Sequence, residues 1–272
     1  MHIRHRDGGG CHADRNDGKL VLFLLFAVLS LCAMRSAIAA PDEIQVYTEE
    51  INAPGEFGLE QHLNYTIKGQ QTQDYPGQMT SHHVTQITPE FSYGLTDTFE
   101  AGLYAPVAVT SRGDAFLNGL RVRLKYIAPR QGEEEVFYGL NVEVGRDAPR
   151  TSESISGMEL RPIIGYRDAR WLASFNPILN MALAGDVSHQ PQFEPSWKLT
   201  HRMSEGARGG FEYYGEYGAL NNLLPRDQRA HSLYAVVDVE SSGVDINFGI
   251  GRGFVNAADD WVMKAIIALP LE

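Results

Sequence analysis

The chain has 272 residues and a formal net charge of −11, with 23 Lys and Arg against 34 Asp and Glu. That balance excludes a basic nucleic-acid-binding surface. No apolar run in the body of the chain is long enough for a membrane helix.

The one continuous apolar run spans residues 20–33. It follows Lys19 and is followed by Ala37-Ile38-Ala39, a small-x-small pattern. This predicts a secretory signal peptide over residues 1–39 with cleavage after Ala39. An N-terminal membrane anchor is the alternative. The basic, glycine-rich lead before Lys19 is long, and a start codon further downstream fits the same pattern. Leu31 precedes Cys32, and a lipoprotein site wants a small residue there. Cleavage removes both cysteines, Cys11 and Cys32, so no disulfide or cysteine metal site remains. It also removes five basic and three acidic residues, leaving 18 against 31, a net charge of −13.

Residues 40–55 hold one short alternating piece, Ile44-Gln45-Val46-Tyr47, and a turn signal, Asn52-Ala53-Pro54-Gly55. They are expected to form a periplasmic lead, a plug segment tucked into the barrel mouth, or an extra edge strand.

From residue 56 to 272 the period is two. In 116–127, Leu120, Val122, Leu124 and Tyr126 face one way and Arg121, Arg123 and Lys125 the other. In 136–145, Val136, Tyr138, Leu140, Val142 and Val144 oppose Asn141 and Glu143. Successive side chains of a strand point to opposite faces. Each arm of this hairpin matches the 9–11 residues of a tilted membrane strand. Similar alternation recurs near 56–68, 83–95, 98–108, 157–167, 169–183, 192–203, 207–217, 230–240, 243–252 and 260–270. The fold predicted is all-β, a transmembrane antiparallel up-and-down β-barrel of about 12 strands.

Alternation alone does not say which face looks outward. An export signal, a lumen too wide for side chains to fill, and aromatic residues at the ends of the apolar face all favour the membrane. The gaps agree. Those near 69–82, 148–156, 184–191 and 218–229 are long and polar, whereas Thr96-Asp97, Asp168, Ser204-Glu205-Gly206 and Ser241-Ser242 are tight. Long outer loops and short periplasmic turns mark an outer-membrane barrel. The gap at 129–135 is longer than that rule expects.

The polar face then lines the lumen. Its candidate constriction residues are Arg121, Arg123, Lys125, Glu143, Glu159, Arg161, Glu194, Arg202, Arg208, Glu212, Asp238 and Asp245. They either pair and fill the lumen, or set a transverse field that sorts solutes.

Several short stretches carry a family resemblance. They are Ile44-Gln45-Val46-Tyr47, residues 51–60 (INAPGEFGLE), Thr88-Pro89-Glu90-Phe91-Ser92-Tyr93-Gly94-Leu95, and Phe248-Gly249-Ile250-Gly251-Arg252-Gly253. Together they resemble a group of proteobacterial outer-membrane proteins. More distantly, the chain is similar to the phenol-degradation MetA-pathway barrels and the hydrophobic-compound channels. The resemblance covers the mature chain and brings no catalytic or ligand residues. It implies an outer-membrane barrel inserted by the barrel-assembly machinery, in contact with outer-membrane lipid and small solutes, some of them apolar or aromatic. Such barrels often end in an aromatic residue, and this chain ends Ala268-Leu269-Pro270-Leu271-Glu272.

Other motifs point elsewhere only weakly. Gly249-Ile250-Gly251-Arg252-Gly253 lacks dinucleotide-loop spacing and a following helix. His82-His83 with His62 suggests a metal, but a solvated loop explains it. His231-Ser232 cannot be a base and its nucleophile, because neighbours on a strand point apart. The expected function is a passive channel for small solutes, with no cofactor and no enzymatic activity. A closed barrel for surface recognition and a lipid-modifying enzyme are the alternatives.

Overall fold

The computed structural model describes residues 42–130, 135–185, 187–241, 243–255 and 258–271. The expected signal peptide, both cysteines and most of the 129–135 gap lie outside them. Twelve strands form the wall. They are β1 (Phe57–Lys68), β2 (Thr85–Gly94), β3 (Phe99–Tyr104 and Val107–Val109), β4 (Ala115–Leu117 and Gly119–Ile127), β5 (Val136–Asp147) and β6 (Ser156–Arg167). Then follow β7 (Trp171–Asn176 and Leu179–Ala184), β8 (Gln192–Phe193 and Ser196–Ser204), β9 (Ala207–Glu216 and Gly218–Ala219), β10 (Ala230–Ser241), β11 (Val244–Gly253) and β12 (Trp261–Leu271). A short piece, Asn222–Leu223, lengthens the β9–β10 hairpin.

Each strand pairs antiparallel with its sequence neighbours. β12 returns to β1 in a register from Phe57↔Leu271 to Lys68↔Trp261, so the sheet is closed. Closure leaves no unpaired edge. Three of the split strands break at a proline, which has no N–H to give the ladder. Pro106 interrupts β3, Pro177 interrupts β7 and Pro195 interrupts β8. The wall stays hydrogen-bonded across these breaks: Asn118 N donates to Pro106 O at 2.7 Å, and Gly215 N to Pro195 O at 3.0 Å.

The barrel is inverted relative to a soluble protein. Val122 and Tyr138 on the outer face are 57% and 59% exposed, whereas Arg123 and Asn141 on the inner face are 7% and 0% exposed. Burying charge inside while leaving aliphatic side chains outside is stable only when the surroundings are apolar. One assignment needs correction. Lys68 reads from the sequence as inward-facing, like Glu60, His62 and Asn64. A bulge between Thr66 and Lys68 adds a residue there, and Lys68 is exposed beside Trp261.

Tight turns close one end of the barrel and long loops the other. At the long-loop end, Asp259 accepts from Gln70 N at 3.1 Å and from the Ser81 hydroxyl. Met79 N donates to Arg150 O at 2.8 Å. The loop over 69–84 is thus tied to the loops before β6 and β12.

Candidate functional site: a segment threaded through the lumen

The alternating residues Ile44 to Tyr47 look like a strand, yet they join no sheet. Residues 42–52 run through the lumen, and wall side chains satisfy their backbone. Asp42 O accepts from Asn64 Nδ2 at 3.2 Å and Thr88 Oγ1 at 2.9 Å. Ile44 O accepts from Lys264 Nζ at 2.8 Å, and Gln45 O from Arg161 Nη1 at 3.2 Å. Tyr47 N donates to Asn176 Oδ1 at 2.7 Å, while Tyr47 O accepts from Ser174 Oγ at 2.6 Å and Asn176 Nδ2 at 3.1 Å. Lower down, Glu50 O accepts from Lys125 Nζ at 2.7 Å, and Asn52 N donates to Glu100 Oε2 at 2.7 Å. A buried backbone needs such partners.

These contacts fix the direction of threading. Asp42 meets the long-loop halves of β1, β2 and β4, where Arg121 reaches its carboxylate at 2.8 Å. Asn52 meets Ser92 and Glu100 near the tight turns. The chain therefore descends through the lumen, turns at residues 53–56 and climbs back as β1.

Two apolar patches inside the polar lumen receive the segment. Ile44 packs with Tyr234, Val236 and Val262. Tyr47 packs with Ile127, Phe137, Ile163 and Leu172, and Ile51 lies against the same group. The Tyr47 ring also lies near three cations: Arg161 at 4.1 Å, Lys125 at 4.8 Å and Arg123 at 5.7 Å from its centre. Its hydroxyl is 2.6 Å from that of Tyr104. An aromatic face attracts cations, more so when they are desolvated.

The predicted lumen residues fall into groups. On the β4–β6 wall, Arg121 pairs with Asp147 at 3.0 Å and Glu143 at 3.7 Å, and Arg161 with Glu159 at 2.6 Å. Arg123 pairs with Glu90 and, at 2.8 Å, with Glu100. Across the lumen, Glu212 is held by Lys264 and by Lys198 at 3.3 Å, and Lys198 meets Asp238 at 2.7 Å. Glu194 stands apart and accepts from Asn180 Nδ2 at 2.5 Å. Toward the tight turns, Arg202 donates to Ser204 O at 3.3 Å and Arg208 to Arg170 O at 3.4 Å. Asp245 lies opposite Glu240 across the β10–β11 ladder. Glu90, Glu100, Lys198 and Lys264 share this polar face by strand parity and complete these pairs, although they are not among the constriction candidates.

Alongside the segment and toward the tight turns, a cavity of about 470 Å³ remains, lined by Gln45, Tyr47 and Glu50 on one side and by Lys125, Arg208 and Asp238 on the wall. Glu60, His62 and Glu90 bring ligand atoms within 4.8 Å of one another. Protein groups already engage both carboxylates: Arg123 supplies the countercharge to Glu90, Gln45 donates to Glu60 at 2.9 Å, and His62 Nε2 lies 3.2 Å from Glu90. In the loops, burial pushes the Tyr75 phenol up to about 12, helped by Glu153 and Asp74. Burial likewise raises the Asp259 carboxyl.

No protein-family model matches the chain, and no curated protein matches its sequence. Solved structures do. An outer-membrane channel from Pseudomonas putida F1 aligns with a TM-score of 0.53 at 13% identity, over 84% of this chain and all of that one. The NanC porin aligns with a TM-score of 0.52 at 9% identity, over 78% of this chain and 97% of that one. The fold is that of an outer-membrane β-barrel. At these identities the likeness is one of fold.

Proposed function

We propose that the protein is a bacterial outer-membrane channel for small solutes, and that residues 42–52 are its stopper. The observation that carries this reading is the Tyr47 seat. An inner wall meant only to be filled could be uniformly salt-bridged. Here, apolar patches sit opposite Ile44 and Tyr47, and three cations surround one ring. With the segment withdrawn, the same surface would offer an aromatic solute a flat apolar wall and cation–π partners. Small aromatic compounds are therefore the solute class we favour. The likeness to a channel and a porin supports the transport reading.

The test is planar-bilayer conductance of two folded proteins, the mature chain and a form lacking residues 42–52. The shortened form should give discrete steps that phenol reduces in a concentration-dependent way, while the mature chain is silent or opens rarely. A folded, shortened barrel that stays silent would count against transport through this lumen. Steps indifferent to phenol would leave a channel but remove the aromatic assignment.

A further inference from the structure

The outer surface at the long-loop end holds a row of residues that the lumen does not use. Along β11, Ile246, Phe248 and Ile250 face outward and are exposed, and the next residue of that parity is Arg252. Cross-strand register makes the row continuous. Tyr213 lies opposite Leu233, Leu233 opposite Arg252, Arg252 opposite Trp261, and Trp261 opposite Lys68. Trp197 stacks on Tyr213 at 5.7 Å and extends it.

The cations in this row sit on aromatic rings. The Arg252 guanidinium is 5.6 Å from the Trp261 ring centre. One step toward the loops, Arg229 lies 5.1 Å from the Tyr217 ring centre, and its Nε donates to Leu224 O at 2.8 Å. Tyr217 is in turn edge-on to His231, which is 2.5 Å from the Tyr213 hydroxyl. Lys68 is neutralised by Asp260. Among the described residues, neither Arg252 nor Arg229 has a carboxylate within ion-pair distance. In a chain of net charge −11, these two arginines, set against aromatic rings at the edge of an apolar belt, suit an anionic partner. At that depth, the partner is a lipid headgroup. Arginine suits phosphate because its planar fork binds two oxygens at once, and basic sites at membrane edges hold anionic headgroups.

We propose that the face formed by Arg229, Tyr217, Arg252 and Trp261 docks a phosphate-bearing anionic lipid of the leaflet on the long-loop side. The guanidiniums bind phosphate, and the aromatic rings lie against the upper acyl chains. Arg146 provides an internal comparison. It continues the outward parity of β5 after Val144 at the same end, but no aromatic ring supports it among the described residues.

The experiment uses the full mature chain in phosphatidylcholine vesicles with and without lipid A. The readout is the heat-modifiability midpoint on gels. Lipid A should raise the midpoint of the wild type. R229Q/R252Q should lose that increment, and R146Q should keep it. Native mass spectrometry of the wild type should show lipid A retained through detergent exchange, and high salt should release it. An equal increment in all three proteins, or no retained lipid A, would overturn the proposal. So would an equal increment from inorganic phosphate, since a lipid would then not be required. Should the double variant fail to fold, the mass-spectrometric result on the wild type decides.

Discussion

The Arg161 guanidinium stacks 4.1 Å from the centre of the Tyr47 ring while its Nη1 donates to Gln45 O at 3.2 Å. One wall side chain thus grips both a ring and a carbonyl of the segment it faces. Cation–π contacts are worth about 0.5–2 kcal/mol each. Tyr47→Ala removes the ring from all three cations and should raise open probability in bilayers severalfold. Tyr47→Phe keeps the ring and loses only the bond to Tyr104, so it should stay close to wild type. Equal behaviour of the two variants would show that the ring is not what seats the segment.

The turn at 53–56 depends on close backbone approach. Gly55 N donates to Gly94 O at 2.8 Å, and a Cβ on Gly94 would lie 2.1 Å from Ala53 O. Backbone cannot yield that distance cheaply. Gly94→Val should therefore displace the turn and loosen residues 42–52, leaving the wall closed. Limited proteolysis should cut the variant within this segment faster than the wild type, with heat-modifiability retained.

Lys264 and Glu212 are both buried and ion-paired. Lys264→Met leaves Glu212 with Lys198 as its one neighbouring cation among the described residues, beside the Tyr214 hydroxyl at 2.7 Å, and should cost about 3 kcal/mol. Adding Glu212→Leu removes the stranded charge and should recover much of that loss. Urea unfolding in detergent of both variants measures the difference. A double variant no more stable than the single one would argue that Glu212 matters chiefly to Lys198.

The tight turn at Asp168 offers a pH test outside the membrane-spanning strands. Its Oδ1 accepts from the amides of Trp171 and Arg170, both at 2.6 Å. Those bonds hold the carboxyl below its ordinary value. The contribution is therefore complete above about pH 4, the unfolded value, and is lost as pH falls through the lower folded value. Asp168→Ala should lower the unfolding midpoint at neutral pH, and its gap to the wild type should narrow in acid. A gap that stays constant would mean the ionised carboxylate is not involved.

Much of the wall was legible because period-two alternation reports directly on a two-faced sheet. Leu120-Arg121-Val122-Arg123-Leu124-Lys125 admits one parity, and the structure keeps it. At Lys68 alternation alone points to the wrong face, because a bulge shifts parity without changing composition. The segment 42–52 was harder to read. Ile44-Gln45-Val46-Tyr47 has strand periodicity, but its partners are Asn176, Ser174, Arg161 and Lys264, all far away in sequence. Nothing local distinguishes a carbonyl bound by a distant lysine from one bound by a neighbouring strand. The charged set was legible as a face, while its division into pairs depends on register.

β12 pairs with β1 and seals the cylinder. The same strand carries Lys264, which holds Ile44 O. The strand that closes the wall thus also grips the lumen segment, and a barrel whose seam opened would lose the hold of Lys264 on Ile44 as well.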